Sequence, residues 1–180
     1  MRLWIAVGLL ALAVGGCTAP TDLGTPGVSC SPQAALAQWK ADPDQVNLVD
    51  VRTPEEYIFI GHVPMARNIP VKFLANKWDA KEKKPVFKPN PDFVADVKKH
   101  YQPPDKIIIM CGTGKRSVDA VKLLKDAGYK DVIFVEGGFD GQRGTDCFDH
   151  GAGKLVKPGW KNSDLIWTYA LNPEMLYLKD

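Results

Sequence analysis

Cys111 stands between the run Ile107-Ile108-Ile109-Met110 and the segment Gly112-Thr113-Gly114-Lys115-Arg116-Ser117. A β-branched run, then a cysteine, then a glycine-bearing turn into a helix places the thiol where open α/β sheets bind ligands. The two glycines let backbone N–H groups turn inward without steric cost. The helix N-terminus adds partial positive charge, and Lys115 and Arg116 add whole charges. Each of these favours thiolate over thiol, and the thiolate is the nucleophile. The chemistry expected is attack by sulfur, with Gly112, Thr113, Gly114, Lys115 and Arg116 binding an anionic substrate. The plain alternative is an inert cysteine at a strand end. The adjacent glycines and basic residues weigh against it.

Two similar loops do not fit. A phosphate-binding GxxxxGK[ST] loop needs a glycine where this chain has Ile109. Cysteine phosphatases, and arsenate reductases on the related loop, place five residues between the cysteine and the arginine; here there are four, Gly112 to Lys115. A smaller loop suits a smaller group, such as a sulfane sulfur.

The elements that must position this loop alternate between strand and helix. Ser31-Pro32 reads as an N-cap and first helical residue before a helix over 33–40. Residues 45–51 read as a buried strand. Thr53-Pro54-Glu55-Glu56 is a capping box opening a second helix. Asn90-Pro91 predicts another N-cap, with a helix to about His100. Residues 106–110 form a central strand, and Ala120, Val121, Leu124 and Ala127 share one face of a helix over 116–127 that Gly128 ends. Residues 131–135 give a further strand. The segment from Trp78 to Pro91, rich in Lys and Pro, reads as a surface insertion with solvated lysines. Alternating strands and helices imply an α/β fold with a mostly parallel central sheet flanked by helices on both faces.

Composition sets outer limits. The chain has 180 residues, 45% hydrophobic and 24% charged, with net charge +2. Disorder is excluded as the main state, and so is broad electrostatic binding to nucleic acid. Arg2 precedes an apolar run of 12 residues, Leu3 to Val14. A bilayer span needs about 20 residues, so the run has the length of a signal-peptide core. Val14-Gly15-Gly16-Cys17 is similar to a lipobox. Residues 1–16 are therefore read as a signal peptide cut before a lipidated Cys17, the other reading being an ordinary secretory signal. Residues 17–29 read as a flexible tether. The domain is expected over 30–144, exported to the periplasmic side of the cell envelope and touching the membrane only through the lipid.

The motifs taken together resemble the rhodanese (sulfurtransferase) family over roughly Ser31 to Gly141. They are Leu48-Val49-Asp50-Val51-Arg52, Glu55-Glu56-Tyr57, Gly61-His62-Val63-Pro64-Met65-Ala66 with Asn68-Ile69-Pro70, the Cys111 to Ser117 loop, and Val135-Glu136-Gly137-Gly138-Phe139. The resemblance implies a single-domain rhodanese-like fold. It also implies that Cys111 accepts sulfur from a donor such as thiosulfate or mercaptopyruvate, holds it as a persulfide, and passes it to a thiophilic acceptor. The alternative within the family is a non-catalytic sulfur carrier or protein-docking module. Asp50 and Arg52 match a structural pair, with Arg52 reaching toward Glu56, and His62 matches a turn-packing residue. Two departures stand out. Gly112 occupies a position that is basic in many thiosulfate users, and Gln142 occupies one where the family often has tryptophan.

Residues 145–180 extend beyond the resemblance. Their aromatic residues are expected to pack on the domain. Cys30 and Cys147 flank the domain in an oxidising setting and are a candidate disulfide. His100 and His150 lack metal-ligand spacing with the cysteines, so neither metal nor cofactor is expected. A small sulfur donor and a thiophilic acceptor are the expected partners, with a protein as a further candidate.

Overall fold

The computed structural model describes residues 28–143 and 155–178. Cys17 and Cys147 lie outside these residues. The central sheet has five parallel strands in the order β1-β7-β6-β2-β3. They are β1 (Val28–Cys30), β2 (Val46–Asp50), β3 (Ala66–Asn68), β6 (Lys106–Met110) and β7 (Val132–Val135). The helices are α1 (Pro32–Ala41), α2 (Pro54–Ile60), α3 (Phe93–Lys98) and α4 (Lys115–Asp126). Val28 and Ser29, placed in the tether by sequence, pair with Ile133 and Phe134 in β1.

The central strand β6 shows why the sheet is covered on both sides. Ile107 and Ile109 join Phe93 and Val97 of α3 and Ala120, Val121 and Leu124 of α4 in one core. Ile108 and Met110 point the other way, into a core with Ala35 and Leu36 of α1, Phe139 and Trp160. A period of two in side-chain direction turns one unbroken apolar run into contacts for two layers.

Local signals set several boundaries. Ser31 caps α1 by accepting from the Ala34 N–H, and Thr53 and Glu56 close the capping box of α2. Gly128, at φ +96, follows the end of α4. Asn90 behaves differently from the expected N-cap. Its Oδ1 accepts from the Asp92 N–H and its Nδ2 donates to the Pro70 carbonyl, so it ties two loops together. The helix starts at Phe93 and ends at Lys98.

The insertion is regular rather than a loop. It forms an antiparallel hairpin of β4 (Lys72–Asp79) and β5 (Lys84–Pro89). Beyond β7, β8 (Gln142–Arg143) pairs with β9 (Leu155–Lys157).

The C-terminal segment does more than coat the surface. Trp160 is fully buried in the second core, and its indole N–H donates to the Ile166 carbonyl. His62 and Thr168 exchange backbone hydrogen bonds of 2.9 and 2.8 Å. The Asn68 N–H on edge strand β3 donates to the Met175 carbonyl, and Arg67 donates to the Glu174 carbonyl. Tyr177 then donates to Asp96 at 3.0 Å.

Candidate active site

Cys111 follows the last residue of β6, and α4 begins four residues later, at Lys115. The Cys111 side chain is fully buried. The Gly114 N–H donates to its Sγ at 3.1 Å. Three carbonyls of the loop are bonded outward: Cys111 O accepts from the Phe139 N–H at 2.7 Å, Gly112 O from the Asp140 N–H at 2.8 Å and Thr113 O from Gln142 Nε2 at 3.1 Å. A trans peptide sets its N–H opposite its carbonyl. Each outward carbonyl therefore turns the next residue's N–H the other way. The Thr113–Gly114 peptide shows both ends of this arrangement, with its carbonyl on Gln142 and its N–H on Sγ. Gly114, at φ +94, adopts the left-handed conformation the turn needs.

The segment holding the loop is itself close-fitting. A Cβ on Gly138 would fall 2.2 Å from Cys111 O, so only glycine brings Phe139 and Asp140 near enough to bond. Gly112 is tightly fitted too. A Cβ there would meet Asp140 Oδ2 at 3.1 Å and Arg116 Nη2 at 3.3 Å. The basic residue often found after the cysteine would enter here only if those two side-chain ends gave way by a few tenths of an ångström.

Arg116, in the first turn of α4, makes a two-pronged ion pair with Glu56 of α2, both contacts 2.6 Å. Burial opposes the charge on Arg116, but the hydrogen bonds and charge of Glu56 outweigh it and raise its pKa further. Burial likewise pushes Glu56 up, and Arg116 more than reverses this, holding the carboxyl below its ordinary range. Asp140 goes the other way. Burial raises its pKa, and the negative charges of Glu56 and Asp50 add to this against Arg52 and Lys161. The positive charge expected at the loop is thus shared with two carboxylates.

Arg52 does not reach Glu56. It lies fully buried against Asp50, with contacts of 2.7–3.0 Å, and donates to the Gly61 carbonyl at 2.8 Å. Its guanidinium sits 4.2 Å from the Phe139 ring centre. Arg52 thus braces the same segment that holds the Cys111 loop. His62 is buried and stacked on Tyr57 at 3.9 Å, and its Nδ1–H donates to the Tyr57 carbonyl at 3.1 Å, a packing role.

The five loop residues expected at the site are together. Thr113 and Lys115 also form part of the wall of a cleft of about 860 Å³ with Asp140, Gln142 and Lys161, while Cys111 is not on that wall. Cys30 is buried on β1 in the second core. Ser117, in the first turn of α4, is fully buried and its hydroxyl has no hydrogen-bond partner among the described residues. Sequence reasoning missed the clamp from Phe139, Asp140 and Gln142, because backbone bonds across about thirty residues leave no side-chain pattern beyond the two glycines.

The sequence pattern of the Rhodanese-like domain matches residues 32–143, more than half of the chain. The chain belongs to the rhodanese-like family. Among curated relatives, thiosulfate sulfurtransferase 16, chloroplastic, of Arabidopsis thaliana is 37% identical over 91 residues, covering 51% of this chain and 68% of that one. The thiosulfate:glutathione sulfurtransferase of Saccharomyces cerevisiae is 31% identical over 119 residues, covering 64% and 73%. The chain spans about half the length, 45%, of two further plant relatives. The crystal structure of Rv0390 from M. tuberculosis superposes with a TM-score of 0.58 at 23% identity, covering 79% of this chain and 97% of that one. At that identity the likeness is one of fold. The rhodanese-like match ends at Arg143, so Trp160 enters the core from outside the matched region.

Proposed function

We propose that this rhodanese-like protein is a sulfurtransferase working through a persulfide on Cys111. The observation that carries the reading is the Cys111 Sγ held at 3.1 Å by the Gly114 amide in a loop whose carbonyls are bonded outward. Relatives named as thiosulfate sulfurtransferases support it.

In the first half-reaction the Cys111 thiolate attacks the outer sulfur of a donor such as thiosulfate. A sulfur–sulfur bond forms to Cys111, and the donor's own sulfur–sulfur bond breaks, with sulfite leaving with the electron pair. Mercaptopyruvate is the other candidate donor, because Cys111-Gly112-Thr113-Gly114 resembles the opening of mercaptopyruvate-using loops. In the second half-reaction an acceptor such as cyanide or a thiolate attacks the outer persulfide sulfur, and Cys111 leaves as thiolate. The loop amides stabilise negative charge on the two sulfurs, and Lys115 and Arg116 stabilise the departing anion.

The test is a thiosulfate:cyanide assay on the wild type and Cys111→Ser. Thiocyanate formation in the wild type and background rates in the variant are expected, with a gain of about 32 Da, one sulfur, on Cys111 after donor alone. Equal rates in the two proteins would remove the reading. We also read residues 1–16 as an export signal and Cys17 as a lipid-bearing anchor at the periplasmic face, with Cys30 and Cys147 joined in a disulfide. Mass spectrometry of membrane-extracted protein, with and without reductant, checks all three. An unmodified Cys17 behind an uncut leader would overturn the anchor.

A further inference from the structure

The β4–β5 hairpin has one face that nothing in the described residues covers. Leu74 lies opposite Phe87 and Trp78 opposite Pro85 across the ladder, with the irregularity between the pairs confined to β4. Opposite residues share a face, and so do Pro85 and Phe87, two apart on one strand. Leu74, Phe87, Pro85 and Trp78 therefore form one stripe. Its large apolar residues are 44%, 36% and 64% exposed at Leu74, Phe87 and Trp78. The opposite face turns toward the body, where Ala75 is buried and Phe73 meets Tyr177 at 5.7 Å.

The stripe begins at the catalytic loop. The Arg116 guanidinium lies 5.3 Å from the Phe87 ring centre, and Lys72, on the same face as Leu74, bridges to Asp119 of α4 at 2.7 Å. One end of the apolar face is thus fixed beside Arg116, and the other reaches Trp78 near the hairpin tip. Residues 72–89 also hold six lysines against Asp79 and Glu82, a net charge of +4 in a chain whose total is +2. The rest of the chain is net negative, so the hairpin is its cationic pole. An apolar aromatic stripe framed by lysines fits a partner that is acidic and carries apolar side chains.

We propose that this face docks an acidic protein that presents a cysteine to Cys111 as the sulfur acceptor. The proposal rests on the persulfide reading above. The partner's thiolate attacks the outer sulfur of the Cys111 persulfide. The new sulfur–sulfur bond forms on the partner, the old one breaks, and Cys111 departs as thiolate. The proton of the outer sulfur travels with it, so no oxidant or reductant is consumed.

The experiment uses two synthetic peptides of equal length, each with one cysteine flanked by Leu and Phe, one rich in Glu and the other with Lys in place of Glu. Binding is measured by fluorescence anisotropy on Cys111→Ser, where no sulfur moves. The acidic peptide is expected to bind at least about tenfold tighter than the basic one, and more weakly as salt rises. Leu74→Ser with Trp78→Ser is expected to weaken that binding by about tenfold or more. Lys81→Glu with Lys83→Glu, at the tip, weakens it independently of the apolar pair. On the protein with Cys111 intact, both double variants transfer sulfur to cyanide at wild-type rates and lose transfer to the acidic peptide. Equal binding of the two peptides, or binding indifferent to both double variants, would overturn the proposal. So would Trp78-dependent sedimentation with phosphatidylglycerol vesicles in the absence of acidic-peptide binding, which would make the face a membrane contact. Hairpin-dependent peptide binding without any sulfur transfer would support the docking face and remove the persulfide reading, so the two failures are distinct.

Discussion

The molecule contains two arginine–carboxylate pairs that look alike and behave differently. Arg52–Asp50 and Arg116–Glu56 are both two-pronged, and each guanidinium lies over a phenylalanine, Phe139 or Phe87. Asp50 and Arg52 have no exposed side-chain surface, whereas Arg116 and Glu56 keep 18% and 22%. Asp50 also accepts from the Arg52 backbone N–H, and Arg52 donates to Gly61 O. The first pair is thus wired into the scaffold under the 137–140 segment. The second stands at the lip of the Cys111 loop, where an anion from solvent can compete for it. Identical chemistry becomes brace or site according to how much solvent reaches it.

The sharpest way to break this distinction is Arg52→Ala. It strands the Asp50 charge in the interior and is expected to cost about 3–5 kcal/mol, read as a shift of the urea midpoint. An equal loss from Arg116→Ala would erase the contrast. That variant is expected to cost only about 1–3 kcal/mol, because Glu56 can turn to water. Its larger effect is on function, a fall of about tenfold or more in kcat/KM for thiosulfate.

The pH dependence separates the carboxylates further. Glu56 has a lowered folded pKa, so its contribution to stability is present above its unfolded pKa and is lost as pH falls through the folded value. Asp140 has a raised folded pKa, so its contribution is present below its unfolded pKa and is lost as pH rises through the folded value. Asp140→Asn is therefore expected to stabilise the protein at neutral pH and to lose that advantage in acid, as thermal melts across pH would show. The reverse trend would contradict the assignment. Ser117→Ala should have the smallest effect, between neutral and about 1 kcal/mol stabilising, since it removes an unpartnered buried hydroxyl.

Much of this architecture is legible in the residues. The strand ending at Met110, the caps at Ser31 and Thr53 and the glycine after α4 follow from short-range rules about dihedrals and hydrogen bonds. The Cys111 loop is visible because its glycines and charges are contiguous. The misreadings have more than one cause, a partner distant in sequence being the commonest. Glu56 completes a local capping box, and nothing nearby announces that it also pairs with Arg116. Arg52 has a closer acid in Asp50. The β4–β5 hairpin hides behind two prolines and six lysines, residues that disfavour strands in general but are suited to an exposed edge. Asn90-Pro91 matches the pattern of an N-cap, yet the Pro70 carbonyl competes for the same side chain.

The C-terminal segment has a consequence for how the molecule behaves in company. Strand β3 is the last in its sheet, and such strands invite a neighbour's backbone to add to them. Here the Met175 carbonyl occupies the Asn68 N–H that an incoming strand would use, and the Glu174 carbonyl holds the Arg67 guanidinium beside it. The chain's own end thus serves as a stopper against self-association. A chain ending at Ala170 would keep Trp160 with its Ile166 partner and the Thr168 bonds but leave that edge open, and its light scattering should rise with concentration where that of the 180-residue chain stays flat.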